Sequence, residues 1–232
     1  MTAATSGWNA ERCAEVNARL ESASAQEIAD WAVETFGDGL AVAASMQDTI
    51  LPHMFGKRLP GVDVLFLETG YHFPETLATR ETVAGTMPVT IINVMPRQSV
   101  AEQDAEFGAE LFSRDPNVCC FMRKVDPLAR ALENYSAWVT GARRADAVTR
   151  AQMPVVAWDE AHALVKINPL ALWTDADVEA YQGENDLPRN PLVAQGYPSI
   201  GCAPCTARVA VGADPRSGRW AGTDKIECGI IE

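Results

Sequence analysis

Short apolar runs alternate along this chain with stretches in which hydrophobic residues recur three or four positions apart, and this predicts strands alternating with helices. Val16, Leu20, Ile28, Val33 and Phe36 fall among small and acidic residues through the first forty positions, as on a helix, and Gly37-Asp38-Gly39 stops them. Leu40-Ala41-Val42-Ala43-Ala44 follows as a short strand. Ser45-Met46-Gln47-Asp48 then predicts a polar helix start, with the helix running to about Phe55. A second strand covers residues 62–67 and ends at Glu68-Thr69-Gly70. A helix from about Pro74 and a strand over residues 89–94 come next. Short, mostly apolar strands with helical connections indicate an α/β fold: a mostly parallel, doubly wound sheet covered on both faces. Ligands of such sheets lie beyond the carboxyl ends of the strands, so residues 45–48 and 68–70 are expected at one rim.

Further on, a helix is predicted from Cys119 to about Tyr135, interrupted at Asp126-Pro127. Residues 137–140 are a strand leading into a polar loop, 141–150, that carries Arg143, Arg144 and Arg150. Residues 154–158 and 163–167 form a hairpin pair around Asp159-Glu160, and Thr174 caps a short helix. From Gly183 onward Gly and Pro become frequent and periodicity fades. The expected division is a nucleotide-binding α/β part over residues 1–200 and a loop-rich C-terminal segment over residues 201–232.

The chain has 232 residues and a net charge of −12. That charge argues against nonspecific nucleic-acid or anionic-membrane binding. It leaves room for a small anion held by clustered arginines. No run has the apolar length of a membrane span, and Met1-Thr2-Ala3-Ala4-Thr5 lacks the charged and apolar regions of a secretion signal, so a soluble cytoplasmic protein is expected. A homo-oligomer is compatible with the sequence. Six cysteines in such a chain favour metal or catalytic use over disulfides.

The cysteines divide by pattern. Cys119-Cys120 and Cys202-Ala203-Pro204-Cys205 suggest four thiolates around one soft metal centre. Neighbouring side chains diverge, so a vicinal pair converges poorly on one tetrahedral ion, whereas a cubane offers each thiolate its own iron. The spacing therefore favours a [4Fe–4S] cluster on Cys119, Cys120, Cys202 and Cys205. A structural zinc, a metal-free thiol pair, and a thioredoxin-like dithiol at Cys202 and Cys205 are the alternatives. Cys13 is read as an ordinary helix residue. Cys228, in a polar C-terminal stretch near Lys225, is the candidate reactive thiol, with an inert tail thiol as the bland alternative. Arg123-Lys124 follows the vicinal pair, while Arg216 and Arg219 precede Cys228. Arginine forks suit sulfate and phosphate oxygens, although any one of them alone is more often a solvated charge.

These motifs together resemble the assimilatory adenylylsulfate reductases of the phosphosulfate-reductase family, which have the adenine-nucleotide alpha hydrolase-like fold. The resemblance runs from about Leu40 to Cys228. It is carried by Cys119-Cys120 with Arg123-Lys124, the Thr140-Gly141 arginine loop, Ile200-Gly201-Cys202 with Cys205-Thr206, and Glu227-Cys228-Gly229-Ile230; Leu67-Glu68-Thr69-Gly70 and Asn168-Pro169-Leu170 add to it. It implies thioredoxin-dependent reduction of adenosine 5′-phosphosulfate to sulfite and AMP, through an S-sulfonated Cys228. Lys124, Arg150, Arg216 and Arg219 would hold the phosphosulfate, with Arg144 of the same loop in the substrate set. Backbone around Leu67, Thr69 and Gly141 would hold the adenosine, and the cluster would tune substrate electrostatics.

The chain departs from the family pattern in two places. Residues 43–48 lack the Ser-Gly core of the phosphate loop, leaving Ser45 and Asp48 as the candidate contacts there. Ile231 stands where a histidine usually follows. The neighbouring readings are a reductase of the 3′-phosphorylated substrate, an ATP-dependent thiolation enzyme or pyrophosphatase of the same fold, and a non-enzymatic iron–sulfur sensor.

Overall fold

The computed structural model describes residues 7–230. Among them, β1 (Leu40–Ala43), β2 (Val62–Leu67), β3 (Val89–Val94), β4 (Ala137–Val139), β5 (Val156–Asp159) and β6 (Leu164–Ile167) form one sheet. Its order is β3-β2-β1-β4-β6-β5, parallel throughout except for β5, which pairs antiparallel with β6. The chain moves outward from β1 through β2 to β3, then returns to place β4 on the other side of β1. The carboxyl ends of β1 and β4 thus flank the crevice where the winding reverses, the place such sheets use for ligands.

The strand period of two divides the core. Leu40, Val42, Val64, Phe66, Val139 and Ile167 face one layer, with Ile28, Ala32 and Phe36 of α2 (Ala25–Phe36) and Met54 and Phe55 of α3 (Ile50–Gly56). Ala41, Leu65 and Trp138 face the other layer, with Leu128 and Leu132. α1 (Ala10–Leu20) and α2 replace the single predicted N-terminal helical stretch. The break between them is fixed by Ser24, whose side chain and that of Glu27 form a capping box at the start of α2.

The remaining helix and strand predictions hold with three adjustments. α3 begins at Ile50, so the polar residues precede the helix. Asp48 Oδ1 accepts from Ile50 N, and Met46 takes the left-handed backbone (φ 60°) in the turn before it. α4 (Pro74–Thr86) starts on Pro74 as expected. After β3, α5 (Val100–Phe107) and α6 (Leu111–Arg114) occupy a region with no strong sequence periodicity. α7 (Pro116–Cys120) then runs through a π-turn, Phe121–Val125, into α8 (Asp126–Leu132). The irregularity therefore lies just before Asp126-Pro127: proline has no N–H to donate back, so the helix upstream of it widens. α9 (Asp175–Glu184) is capped by Thr174, and α10 (Pro191–Ala194) is one turn in the loop-rich C-terminal stretch. No helix among the described residues is long and apolar enough to cross a membrane.

Candidate active site and cysteine centre

The turn after β1 ties the rim of the sheet to the C-terminal segment. Met46 in a left-handed conformation carries strain of about 1 kcal/mol. It is held there by a fully buried side chain and by Asn190 Nδ2, which donates to its carbonyl at 3.0 Å. Gln47 clamps the strand of chain leading to the C-x-x-C motif, donating to Pro198 O at 3.2 Å and accepting from Ile200 N at 2.8 Å. Ser45 is exposed at the end of β1 and Asp48 is half-buried, its pKa raised by burial. Gly141 is exposed at the end of β4.

The end of β2 is already engaged. Leu67 O lies 2.8 Å from His72 Nε2, and Thr69 is buried with its hydroxyl 3.4 Å from Cys202 Sγ. Arg123, buried beneath this turn, donates to Thr69 O and to Gln103 Oε1 and Gln98 O. It is a structural strut. Gly70 is required at φ 75°, because a Cβ there would meet Val100 Cγ2 at 2.8 Å.

Asp115 caps α7, its Oδ1 accepting from Asn117 N and Val118 N, and thereby fixes the helix that presents Cys119 and Cys120. Cys202 and Cys205 bracket a 3₁₀ turn, Ala203–Cys205, docked by Ala203 N on Tyr71 O at 2.7 Å. All four thiols line one cavity with Tyr71, Phe112, Lys124 and Trp220. Burial, and then its neighbours Cys120, Cys202 and Cys205, push the Cys119 thiol up to about 12; burial and Cys202 push Cys205 up to about 11. Cys120 is raised mainly by burial. Four thiolates could share this cavity only with positive charge between them, which is the chemistry of a thiolate-bound metal group. No three His, Cys, Asp or Glu side chains among the described residues are arranged to hold a single ion. The sulfurs surround a common cavity instead.

Cys228 is half-buried, as Cys205 is, and is not among the residues that line that cavity. Its sulfur interacts electrostatically with Lys124, Arg219, Lys166 and Cys120. Burial alone would lower the Lys124 ammonium, but Cys202, Cys228 and Cys120 outweigh it and its pKa is raised. Arg219 is lowered by burial and by Arg216. Its guanidinium stacks 4.5 Å from the centre of the Trp220 ring, and its Nε is buried without a hydrogen-bond partner. Gly201 makes room for it, since a Cβ at that position would lie 2.6 Å from Arg219 Cζ.

The expected basic residues therefore separate into three groups. Lys124 and Arg219 face the thiols. Arg150 and Arg216 both bind Glu227: Arg150 Nη2 at 2.7 Å, Arg150 Nε at 2.9 Å and Arg216 Nη2 at 2.9 Å. Arg144 is not brought to the others; it pairs with Glu21 at 2.6 Å and donates to Met153 O. Sequence reasoning missed three residues here. Glu227 was legible only as part of a motif. Trp220, whose ring is flanked by Arg216, Arg219 and Lys225, is a lone aromatic in a polar stretch, which is itself a signal. Lys166 of β6, near Trp138 and Cys228, was hidden by its place in an apolar strand. Ile231 lies outside the described residues.

The chain is also similar to known proteins. The family model described as the phosphoadenosine phosphosulfate reductase domain matches residues 39–208. A protein of Mycolicibacterium smegmatis named adenosine 5′-phosphosulfate reductase is 56% identical over 92% of this chain and 90% of its own length. One of the same name from Streptomyces coelicolor is 54% identical over 91% of this chain and 89% of its own. Among solved structures, the phosphoadenylyl-sulfate reductase of Candida auris, a phosphate complex, superposes with a TM-score of 0.73 at 31% identity, covering 88% of this chain and 98% of that one. A Candida glabrata FMN adenylyltransferase shares the fold alone, with a TM-score of 0.57 at 13% identity over 86% of this chain and 74% of its own.

Proposed function

Because this chain belongs to the phosphoadenosine phosphosulfate reductase domain family, we propose that it reduces adenosine 5′-phosphosulfate to sulfite and AMP, with thioredoxin as electron donor, in assimilatory sulfate reduction. The observation that carries the reading is the half-buried Cys228 beside Lys124 and Arg219, at the carboxyl edge of a parallel sheet. The Cys228 thiolate attacks the sulfuryl sulfur; an S–S bond forms, the S–O bond to phosphate breaks, and AMP leaves with that electron pair. A thioredoxin thiolate then attacks Cys228 Sγ, releasing sulfite and leaving a mixed disulfide that the second thioredoxin thiol resolves. Lys124 and Arg219 neutralise the sulfuryl oxygens and the leaving phosphate, stabilisation that matters most as charge develops on the departing group. The unpartnered Arg219 Nε is one donor kept for that purpose. Arg150 and Arg216 hold the phosphate, and the rim at Ser45, Asp48, Leu67, Thr69 and Gly141 receives the adenosine.

Cys119, Cys120, Cys202 and Cys205 are inferred to hold a [4Fe–4S] cluster, supported by their shared cavity and by their mutual effect on one another's thiols. When bound, the cluster would offset part of the charge of its four thiolates and present a polarisable, net anionic group next to Lys124. It leaves Cys228 free for chemistry. The reducing cytoplasm, where thioredoxin keeps thiols available, is the compartment that suits both.

The relatives more than half identical in sequence carry the name of the non-phosphorylated substrate, whereas the 31% identical neighbour carries that of the 3′-phosphorylated one. Sulfite release with thioredoxin, compared between the two nucleotides, tests the reading. The expected result is kcat/KM at least about a hundredfold higher for adenosine 5′-phosphosulfate, the discrimination that an unmatched 3′-phosphate costs a site without partners for it. Equal turnover of both would overturn the preference, and sulfite from neither would overturn the function.

A further inference from the structure

The two arginines assigned to the substrate phosphate are occupied by the protein itself. Glu227 receives Arg150 Nε and Nη2 and Arg216 Nη2, with the Thr149 hydroxyl at 3.3 Å, so that one carboxylate collects four donors, while Arg150 Nη1 donates to Asp146. The three charged side chains are shielded, Glu227 being only 6% exposed, Arg150 8% and Arg216 15%. Although burial opposes it, Arg150 and Arg216 hold the Glu227 carboxyl below its ordinary range, so it is ionised at neutral pH. This is the donor set that an arginine pair offers a phosphate, filled by a carboxylate of the same charge sign.

We propose that Glu227 is a built-in competitor for the phosphate of the substrate: its carboxylate closes the Arg150–Arg216 site in the empty enzyme, and an arriving nucleotide must displace it. The inference rests on the reading of these arginines as phosphate ligands given above. Its consequence follows from chain connectivity. Cys228 is the next residue, its Cα about 3.8 Å from that of Glu227, so displacing the Glu227 carboxylate frees the backbone that carries the nucleophile from its ion-paired anchor. Ile230 packs against the core layer of Leu128 and Trp138 and Lys225 lies over the Trp220 ring, but the other hydrogen bonds of the tail are weaker in kind. Lys225 Nζ donates to the neutral Asn117 Oδ1 at 2.6 Å, Arg216 Nη2 donates to Ile226 O at 2.8 Å, and Lys166 Nζ lies 3.5 Å from Ile230 O. The Glu227 ion pairs are thus the main polar latch. Displacement exchanges one anion for another on the same guanidinium groups, so neither arginine is left buried and uncompensated. Substrate arrival and release of the tail become one event, and by linkage each favours the other. A thiol released in this way can turn first to the sulfuryl group and then to a protein reductant. While the site is empty, it stays sheltered from oxidants.

The test uses anaerobically purified protein and AMP, which fills the phosphate site but has no sulfuryl group to transfer. Calorimetry is expected to give AMP affinity about tenfold higher for Glu227→Gln and Glu227→Ala than for the wild type, the size of one competing charge pair removed. Alkylation of Cys228 by iodoacetamide, read by peptide mapping, is expected to accelerate with AMP in the wild type. In both variants it should already be fast without AMP and should not respond to it. Equal AMP affinity in all three proteins, or protection of Cys228 by AMP in the wild type, overturns the competitor role. Arg216→Ala separates the two levels of inference. If it weakens AMP binding while the Glu227 variants match the wild type, only the competitor role fails. If it binds AMP as well as the wild type does, or if no protein binds AMP, the phosphate-site reading fails with it.

Discussion

Arg144 and Arg150 lie in one polar loop and look interchangeable in the sequence, yet the fold separates them. Arg144 turns outward to Glu21 and Met153 O, whereas Arg150 turns inward to Glu227 and Asp146. Arg144→Ala is therefore expected to leave kcat/KM for sulfite release within about twofold and to lower stability by about 1 kcal/mol, mostly through the lost backbone hydrogen bond, since the partly exposed ion pair is screened. Lys124→Ala removes a half-buried cation facing Cys228 and is expected to lower kcat/KM by about a hundredfold. Steady-state kinetics and thermal melts on the two variants check this; comparable kinetic losses would put Arg144 at the substrate. The presence of a basic constellation was legible because five arginines and lysines crowd the cysteine motifs of an acidic chain. Which of them meets a carboxylate was not. Glu21 and Glu227 are distant in sequence from the arginines they bind, and local spacing carries no information about such partners. Residue identity alone also could not show that Trp220 would gather three cations on its ring.

At the scale of elements, apolar runs were sufficient for the strands. Residues 62–67 and 89–94 appear as β2 and β3 with the expected bounds: β2 is the mostly buried apolar run that a parallel sheet interior requires, and β3, at the sheet's edge, is marked by β-branched residues although it is largely half-buried or exposed. α5 is acidic, with few apolar positions, and its periodicity does not stand out. Its legible mark was the Ser99–Glu102 capping box, a local signal that needs no hydrophobic face. The helix bearing the vicinal cysteines shows the converse case. Pro127 disclosed that an irregularity would occur, but only the structure places it as a π-turn between Cys120 and Asp126. That turn sets the offset between Cys119-Cys120 and Lys124, and π-turns of this kind recur at functional sites. Pro127→Ala returns an N–H to the helix and allows a regular turn. It is expected to leave helix content unchanged while lowering iron bound per chain and speeding loss of the cluster absorbance in air. Unchanged iron and unchanged decay would show that the π-turn does not govern the cysteine pair.

Over the whole molecule, function depends on three segments meeting at one edge of the sheet. The ends of β1, β2 and β4 form the rim, α7 and its π-turn bring two cysteines and Lys124, and the C-terminal stretch returns with Cys202, Cys205, Arg216, Arg219 and Cys228. The fold class was readable from alternation. The strand order was not, because pairing of β4 with β1 rather than β3 is a long-range choice. The rim location followed from topology once the sheet was taken as parallel, and the resemblance of the cysteine motifs supplied the chemistry. What unites the three segments is a split among sulfurs: a quartet lining one cavity, and a half-buried thiol outside that lining among cations. Intact mass spectrometry after incubating anaerobically purified protein with adenosine 5′-phosphosulfate, thioredoxin omitted, examines that split. The expected result is one added sulfonate per chain, mapped to Cys228 and absent from Cys228→Ser. An unmodified chain, or a sulfonate mapped to Cys119, Cys120, Cys202 or Cys205, would contradict it.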